Sequence, residues 1–216
     1  MLPTISAAMP FQMALDEILL QRMKADSLKP VLRFYFSAGP WLTVGYSEKN
    51  LPSAENGVPV CRRITGGGRV IHGNDLIFSF VAAKEHDESF HSVRLSYLKI
   101  HEAVKAGFEF LGERPRFYRC DENLPKGQDC FLFPIATDLG LNRKKIAGGA
   151  QKRSGKILLH QESIKIPSAL EADQRAEALC RGIEQVFGVR LVRADLAPQM
   201  MEEAEKLSRE RYERQL

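Results

Sequence analysis

Three consecutive glycines, Gly66–Gly68, sit in the segment "RRITGGGRVIHGNDLIFSF" that runs from Arg62 to Phe80, with β-rich residues on either side. Ordering such a run costs backbone entropy, so a fold that contains it needs a reason to fix it. Two reasons are open: a tight turn between strands, or the close approach of a ligand to bare backbone N–H groups. Two familiar phosphate loops are excluded. Gly68 is followed by Arg69 and no GK[ST] is present, so the run is not a P-loop. The residues after it read as a strand rather than a helix, which removes the dinucleotide fingerprint.

The rest of the chain alternates between the two periodicities. Phe11, Ala14, Leu15, Ile18 and Leu19 fall on one face of a helix, which puts Asp16 and Glu17 on the other. Runs starting at Val31, Leu42, Val60 and Leu76 read as strands separated by Pro, Gly and Asn. Val93, Tyr97, Ile100, Val104, Phe108 and Leu111 mark a second helix. Strand character returns around Cys130–Ile135, Lys145–Ala147 and Lys156–Ile166. Ser168 and Glu171 form a capping-box pattern for a helix buried through Leu170, Leu179, Ile183, Val186 and Phe187 and ended by Gly188. A charged helix follows from about Gln199. These elements predict one α+β domain over residues 1–216, a mixed sheet flanked by helices, with no accessory C-terminal domain.

Composition narrows the function classes. A formal charge of +4, spread along the chain, gives no basic stripe for nucleic acid, and an acidic protein partner fits equally well. No stretch is apolar enough to span a membrane, and Pro3, Pro10 and Asp16 break any leader-like run. Cys61, Cys120, Cys130 and Cys180 are scattered without a CxxC pair, which predicts free thiols and a cytoplasmic location. Cys61 and Cys180 read as core, Cys120 as a loop thiol. His86, His91 and His101 read as surface or helix residues, and no pair has zinc-ligand spacing with a third partner.

A second segment, "RKKIAGGAQKRSGKILLHQESI" from Arg143 to Ile164, sets Lys145 beside small residues, then a basic turn and an apolar strand. Such a lysine can reach a ligand carbonyl or phosphate without obstruction, or be a surface lysine in a basic hairpin. Together the two segments resemble the signature stretches of the lipoate–protein ligase, octanoyltransferase and biotin-ligase catalytic domain. That pattern runs RR-x-[TS]-GG-[GR]-x-V-x-H and then K-[IV]-x-G-x-A-Q-x-R. The opening "FQMALDEILL" and "PWLTVGYSEKN" are similar to its first helix and following turn.

The resemblance implies that Arg62, Arg63, Gly66, Gly67, Gly68 and His72 line the acyl pocket and the activated carboxyl. It implies that Lys145 contacts the acyl carbonyl, that Gly148, Ala150 and Gln151 form the turn beside it, and that His160 and Ser163 supply more of the pocket wall. Two positions depart from the pattern: Gln12 stands for the usual Asn, and Glu162 for the usual Gly. Glu162 is expected either beside the pocket or turned to solvent.

Three chemistries occur in the family: an ATP-dependent ligase, a transferase with a cysteine near "TCP", and one with a cysteine in C-F-x-x-P before the lysine. No "TCP" occurs here, whereas Cys130-Phe131-Leu132-Phe133-Pro134 matches the last. The resemblance therefore implies a transferase moving an octanoyl or lipoyl group through acyl-Cys130, with Lys145 as the second catalytic residue and neither metal nor cofactor. The donor would be an acyl carrier protein or a lipoylated protein, and the acceptor a lipoyl domain or a glycine-cleavage-type carrier. An ATP- and Mg²⁺-dependent lipoate–protein ligase is the alternative, and a non-catalytic binder of acyl carriers or lipoyl domains the third reading. Nucleic acid and membrane are not expected partners.

Overall fold

The computed structural model describes residues 1–26, 29–52, 57–118, 131–132, 135–165 and 172–213. In chain order the elements are β1 (Ile5–Ala7), α1 (Met9–Asp26), β2 (Val31–Ser37), β3 (Trp41–Val44), β4 (Val60–Arg62), β5 (Val70–His72) and β6 (Leu76–Ala83). They continue with α2 (Val93–Phe110), β7 (Arg116–Phe117), β8 (Leu139–Leu141), β9 (Lys144–Ser154), β10 (Ile157–Ile164), α3 (Ala172–Phe187) and α4 (Pro198–Leu207). The main sheet has the order β1-β2-β6-β10-β9-β8-β7, and a smaller sheet has the order β4-β3-β5. Both are mixed, as expected: β1 runs parallel to β2 and β3 parallel to β4, while the other pairs are antiparallel.

Alternation along the central strands builds two cores. Tyr35, Ile77, Val81 and Leu159 point to a cluster made with α1. Phe34, Phe78 and Ile164, one residue out of phase, point to α2 and α3. β9 and β10 pair in continuous register from Ser154 opposite Ile157 to Ala147 opposite Ile164. Neighbouring residues of β10 therefore serve opposite faces of the sheet.

Several expectations are corrected. The strand at Lys145–Ala147 is eleven residues long and carries Gly148, Ala150 and Gln151, so these are not in a turn. It is entered through Asn142 and Arg143, whose φ values of 50° and 62° make a tight reversal after β8. Phe131 and Leu132 lie in a turn, not a strand. The capping pair Ser168 and Glu171 lies outside the described residues. Gly188, at φ 63°, does end α3.

Helix α1 differs most, because Asp16 and Glu17 are buried rather than solvent-facing. Asp16 faces the sheet, where it accepts from Arg33 Nε at 2.8 Å, Ser79 Oγ at 2.6 Å and Gln161 Nε2 at 2.6 Å. Glu17 lies under the C-terminal segment, bonded to Tyr212 Oη at 2.6 Å and Arg211 Nη1 at 2.5 Å. A buried carboxylate persists only with such partners. Gln12 is equally committed: its amide donates to the carbonyls of Ile5 and Phe36 and accepts from Arg33 Nη2 at 2.6 Å.

Candidate functional site

Where α1, the small sheet and the middle of β9 and β10 meet, there is a narrow cleft, half open to solvent. Met9, Met13, Val70 and Ile77 give it an apolar wall, and Arg63, Thr43, His72, Gln161 and Ser163 a polar one. Gly148 and Ala150 border it as well. Among the described residues no helix is long and apolar enough to cross a membrane.

The glycine loop between β4 and β5 is held from inside. Arg63 is buried, and its Nη2 donates to the carbonyls of Gly66 and Gly68, both at 2.7 Å, while Nη1 donates to Thr43 Oγ1 at 3.2 Å. Gly67 has φ 84° and its position would set a Cβ 3.7 Å from Ala150 Cβ. The loop also leans on Gly45, where a Cβ would stand 2.2 Å from the Gly67 carbonyl oxygen. Gly66 N donates to the Gln151 carbonyl at 3.3 Å, joining the loop to β9. The run is thus a turn: Gly67 needs its left-handed φ and would meet Arg63 Nη2 at 3.1 Å, whereas a Cβ on Gly66 would only touch Tyr46 at 3.8 Å. The three glycines expected to line the pocket do not border the cleft, whose wall takes Arg63 and Val70 from either side of them.

Below the loop runs a relay of short hydrogen bonds. His72 Nε2 lies 2.8 Å from Thr43 Oγ1, and Nδ1 lies 2.6 Å from Asp75 Oδ2. Asp75 also accepts from Ser163 Oγ at 2.6 Å and Gly73 N at 3.0 Å. Burial pushes the Asp75 carboxyl up, but the bonds from His72, Ser163 and Gly73 outweigh it and bring the pKa down to about 2. The carboxylate of Asp75 and the hydroxyl of Thr43 hold the His72 ring in place from its two nitrogens. A second chain runs from Thr65 Oγ1 to Gln161 Oε1 at 2.6 Å and on to Asp16, tying the glycine loop to α1.

The other residues expected at the site fall in three places. Arg62 points away from the cleft, to the Tyr46 and Glu48 carbonyls. Lys145 is buried beside Asp138, with Nζ 2.6 Å from Oδ2 and 5.7 Å from the ring of Phe131. Gln151 and His160 lie on the α2 side of the sheet, where the Gln151 amide sits 3.1 Å from His160 Nδ1. His160 and Ser163, three apart on one strand, cannot share a face, so only Ser163 reaches the cleft. Cys130 and Cys120 lie outside the described residues. Burial raises the Cys61 thiol to about 12 and the Cys180 thiol to about 11, so neither supplies a thiolate near neutral pH.

Glu162 borders the cleft, the first of its two expected positions, but its carboxylate does not open into it. It is buried, and its carboxylate turns toward α2, where Oε2 lies 3.0 Å from His101 Nε2 and 2.7 Å from His160 Nε2. His101 is fully buried too, not a surface residue, and its Nδ1 faces the Thr137 carbonyl. Burial opposes charge on all three groups. The Glu162 carboxylate nevertheless overcomes it at His101 and raises that pKa, while burial prevails at His160 and lowers it. Both histidines hold Glu162 down to about 2. Sequence reasoning missed this group, along with Thr43, Asp75 and Gln161. His72 and Asp75, three apart in a short turn, were the one legible signal among them.

Comparison with known proteins identifies the family and the fold. Residues 8–186 match the lipoyl protein ligase A/B catalytic domain. The octanoyltransferase LipM of Carboxydothermus hydrogenoformans is 29% identical over 93% of this chain and 90% of its own length. That of Bacillus subtilis is 34% identical over 74% of this chain and 62% of its own. Among solved structures, lipoate-protein ligase A bound with ATP superposes with a TM-score of 0.76 at 20% identity, covering 96% of this chain and 93% of that one. A bi-partite lipoate protein ligase from Thermoplasma acidophilum gives 0.69 at 19% identity, over 97% and 93%. The structural likenesses establish the shared fold, and the matched profile establishes the kinship: the chain belongs to the lipoyl protein ligase A/B catalytic domain family.

Proposed function

We propose that the chain transfers an octanoyl or lipoyl group onto a lysine of a lipoyl carrier through an acyl-Cys130 intermediate. The observation that carries this reading is its kinship with octanoyltransferases over nearly the whole chain, combined with the Cys130-Phe131-x-x-Pro134 motif ahead of Lys145. The ring of Phe131, the residue bonded to Cys130, lies 5.7 Å from Lys145 Nζ.

The Cys130 thiolate attacks the carbonyl of a donor thioester, the new C–S bond forms, and the donor thiol leaves as thiolate. The deprotonated amine of the acceptor lysine then attacks the acyl-cysteine. A C–N bond forms, the Cys130 sulfur departs as thiolate, and the extra proton of the nitrogen passes to solvent. Exchange between thioesters needs no ATP. Lys145 stabilises the oxyanion of each tetrahedral state. The apolar wall of Met9, Met13, Val70 and Ile77 receives the acyl chain, each buried methylene contributing about 0.8 kcal/mol. His72, held by Asp75, keeps the polar end of the cleft ordered. Arg63, in the cleft wall, also fixes the glycine loop. The donor in this reading is an acyl carrier protein or a lipoylated protein, and the acceptor a lipoyl domain or glycine-cleavage-type carrier. The cytoplasm, where thiols stay reduced, is the fitting compartment.

The test supplies the protein with octanoyl-carrier thioester and an unmodified lipoyl domain, and follows the acceptor's mass. Acylation without ATP is expected. Acylation only from free lipoate with ATP and Mg²⁺ would establish the ligase instead, and none under either condition would leave a binding protein.

A further inference from the structure

The proposed transfer steps make no use of the buried group formed by His101, His160 and Glu162, whose donor atoms converge on the α2 side of the sheet. We propose that it is a structural binding site for a divalent transition-metal ion of the zinc class, which clamps α2 to the central sheet.

Four observations support the assignment. The two imidazole nitrogens and the carboxylate oxygen lie within 4.8 Å of one another, near the span of one coordination sphere, whose diameter is about 4 Å for nitrogen and oxygen ligands. All three residues are at most 1% exposed, as suits a closed structural site. Each imidazole is oriented through its other nitrogen, His101 Nδ1 by the Thr137 carbonyl and His160 Nδ1 by the Gln151 amide, which leaves both Nε2 atoms aimed at the same point. Glu162 Oε1 is buried and has no hydrogen-bond partner among the described residues, so the proton-bonded arrangement leaves one strong acceptor unsatisfied. A metal bound through both carboxylate oxygens and both Nε2 atoms satisfies it.

The room for the carboxylate comes from Gly149 on β9, directly opposite Glu162, where a Cβ would stand 2.5 Å from Oε2. With two nitrogens, a carboxylate and no thiolate, the set suits Zn²⁺ or Co²⁺ rather than Mg²⁺ or Ca²⁺. On binding, the metal replaces the proton on each Nε2. The proton of His101 Nε2 is released. That of His160 moves to Nδ1, where the Gln151 amide turns its oxygen to accept it.

The test strips the purified full chain with a chelator and titrates it with Co²⁺, then with Zn²⁺. One equivalent of Co²⁺ is expected, with the visible d–d bands of a four-coordinate ion and no sulfur-to-metal charge-transfer band. Zn²⁺ should displace it and raise the melting temperature. Glu162→Gln and His101→Gln should each abolish the spectrum, and Gln151→Leu should weaken binding about 10–100-fold. The wild-type spectrum decides even where a variant fails to fold. No binding, a thiolate spectrum from the cysteines, or full binding in a folded Glu162→Gln would each overturn the proposal.

Discussion

Replacing Gly45 by alanine should dislodge the glycine loop. The added Cβ would stand 2.2 Å from the Gly67 carbonyl oxygen and 3.0 Å from the Gly66 carbonyl carbon. An ordinary contact is about 3.5 Å, so loop or strand must give by roughly 1 Å. Both neighbours are backbone and cannot swing aside, and the loop carbonyls on either side are pinned to Arg63 at 2.7 Å. Overpacking of this kind costs about 1–3 kcal/mol. Taking about 2 kcal/mol, the melting temperature of a chain this size should drop by roughly 4–8 °C. Because the displaced loop is bonded to Arg63, which lines the cleft, the acyl-transfer rate should fall about 100-fold. Gly73→Ala is the control, since its Cβ meets nothing within 4 Å, and it should stay within about 0.5 kcal/mol of wild type. Thermal melts and single-turnover transfer measured side by side decide the matter. A Gly45→Ala protein with wild-type melting and wild-type rate would refute the account of the loop.

Two further predictions concern buried charges. The Asp75 carboxyl has a folded pKa of about 2 against an ordinary value of 3.8, so its contribution of about 2 kcal/mol is fully present above pH 4 and lost as the pH falls toward 2. Asp75→Asn should flatten that limb of the stability–pH curve, measured by denaturant unfolding, and an unchanged acid limb would contradict it. Lys145→Met should cut transfer about 100–1000-fold and cost about 3 kcal/mol, because it leaves Asp138 buried without its cation. Adding Asp138→Asn should restore stability but not activity, and recovery of both would remove Lys145 from the chemistry.

Helices α2 and α3 were legible in the residues because one core faces each of them, and β2, β6 and β10 because a core on each face makes them apolar runs. The helices follow from 3.6-residue spacing. Asp16 and Glu17 were misjudged because α1 is covered on two sides, and the cover over Glu17 comes from Arg211 and Tyr212 far along the chain. The length of β9 was hidden by Gly148 and Gly149, which read as a break. Their small size serves the tertiary fit there, since Gly149 makes room for Glu162 and His160. Arg63, His72 and Ser163, which line the cleft, stand in the two recognisable segments. The pairing of His101 with Glu162 was not legible, since they are 61 residues apart, on a helix and a strand, and no local spacing links them.

The central claim is an acyl-enzyme on Cys130, and intact mass tests it directly. The protein is incubated with octanoyl-carrier thioester and no ATP, and its mass is recorded beside that of Cys130→Ala. The account predicts a gain of one octanoyl group in the wild type, absent from a Cys130→Ala protein that melts at the same temperature. An unmodified wild type, or an equal adduct in the variant, would contradict it.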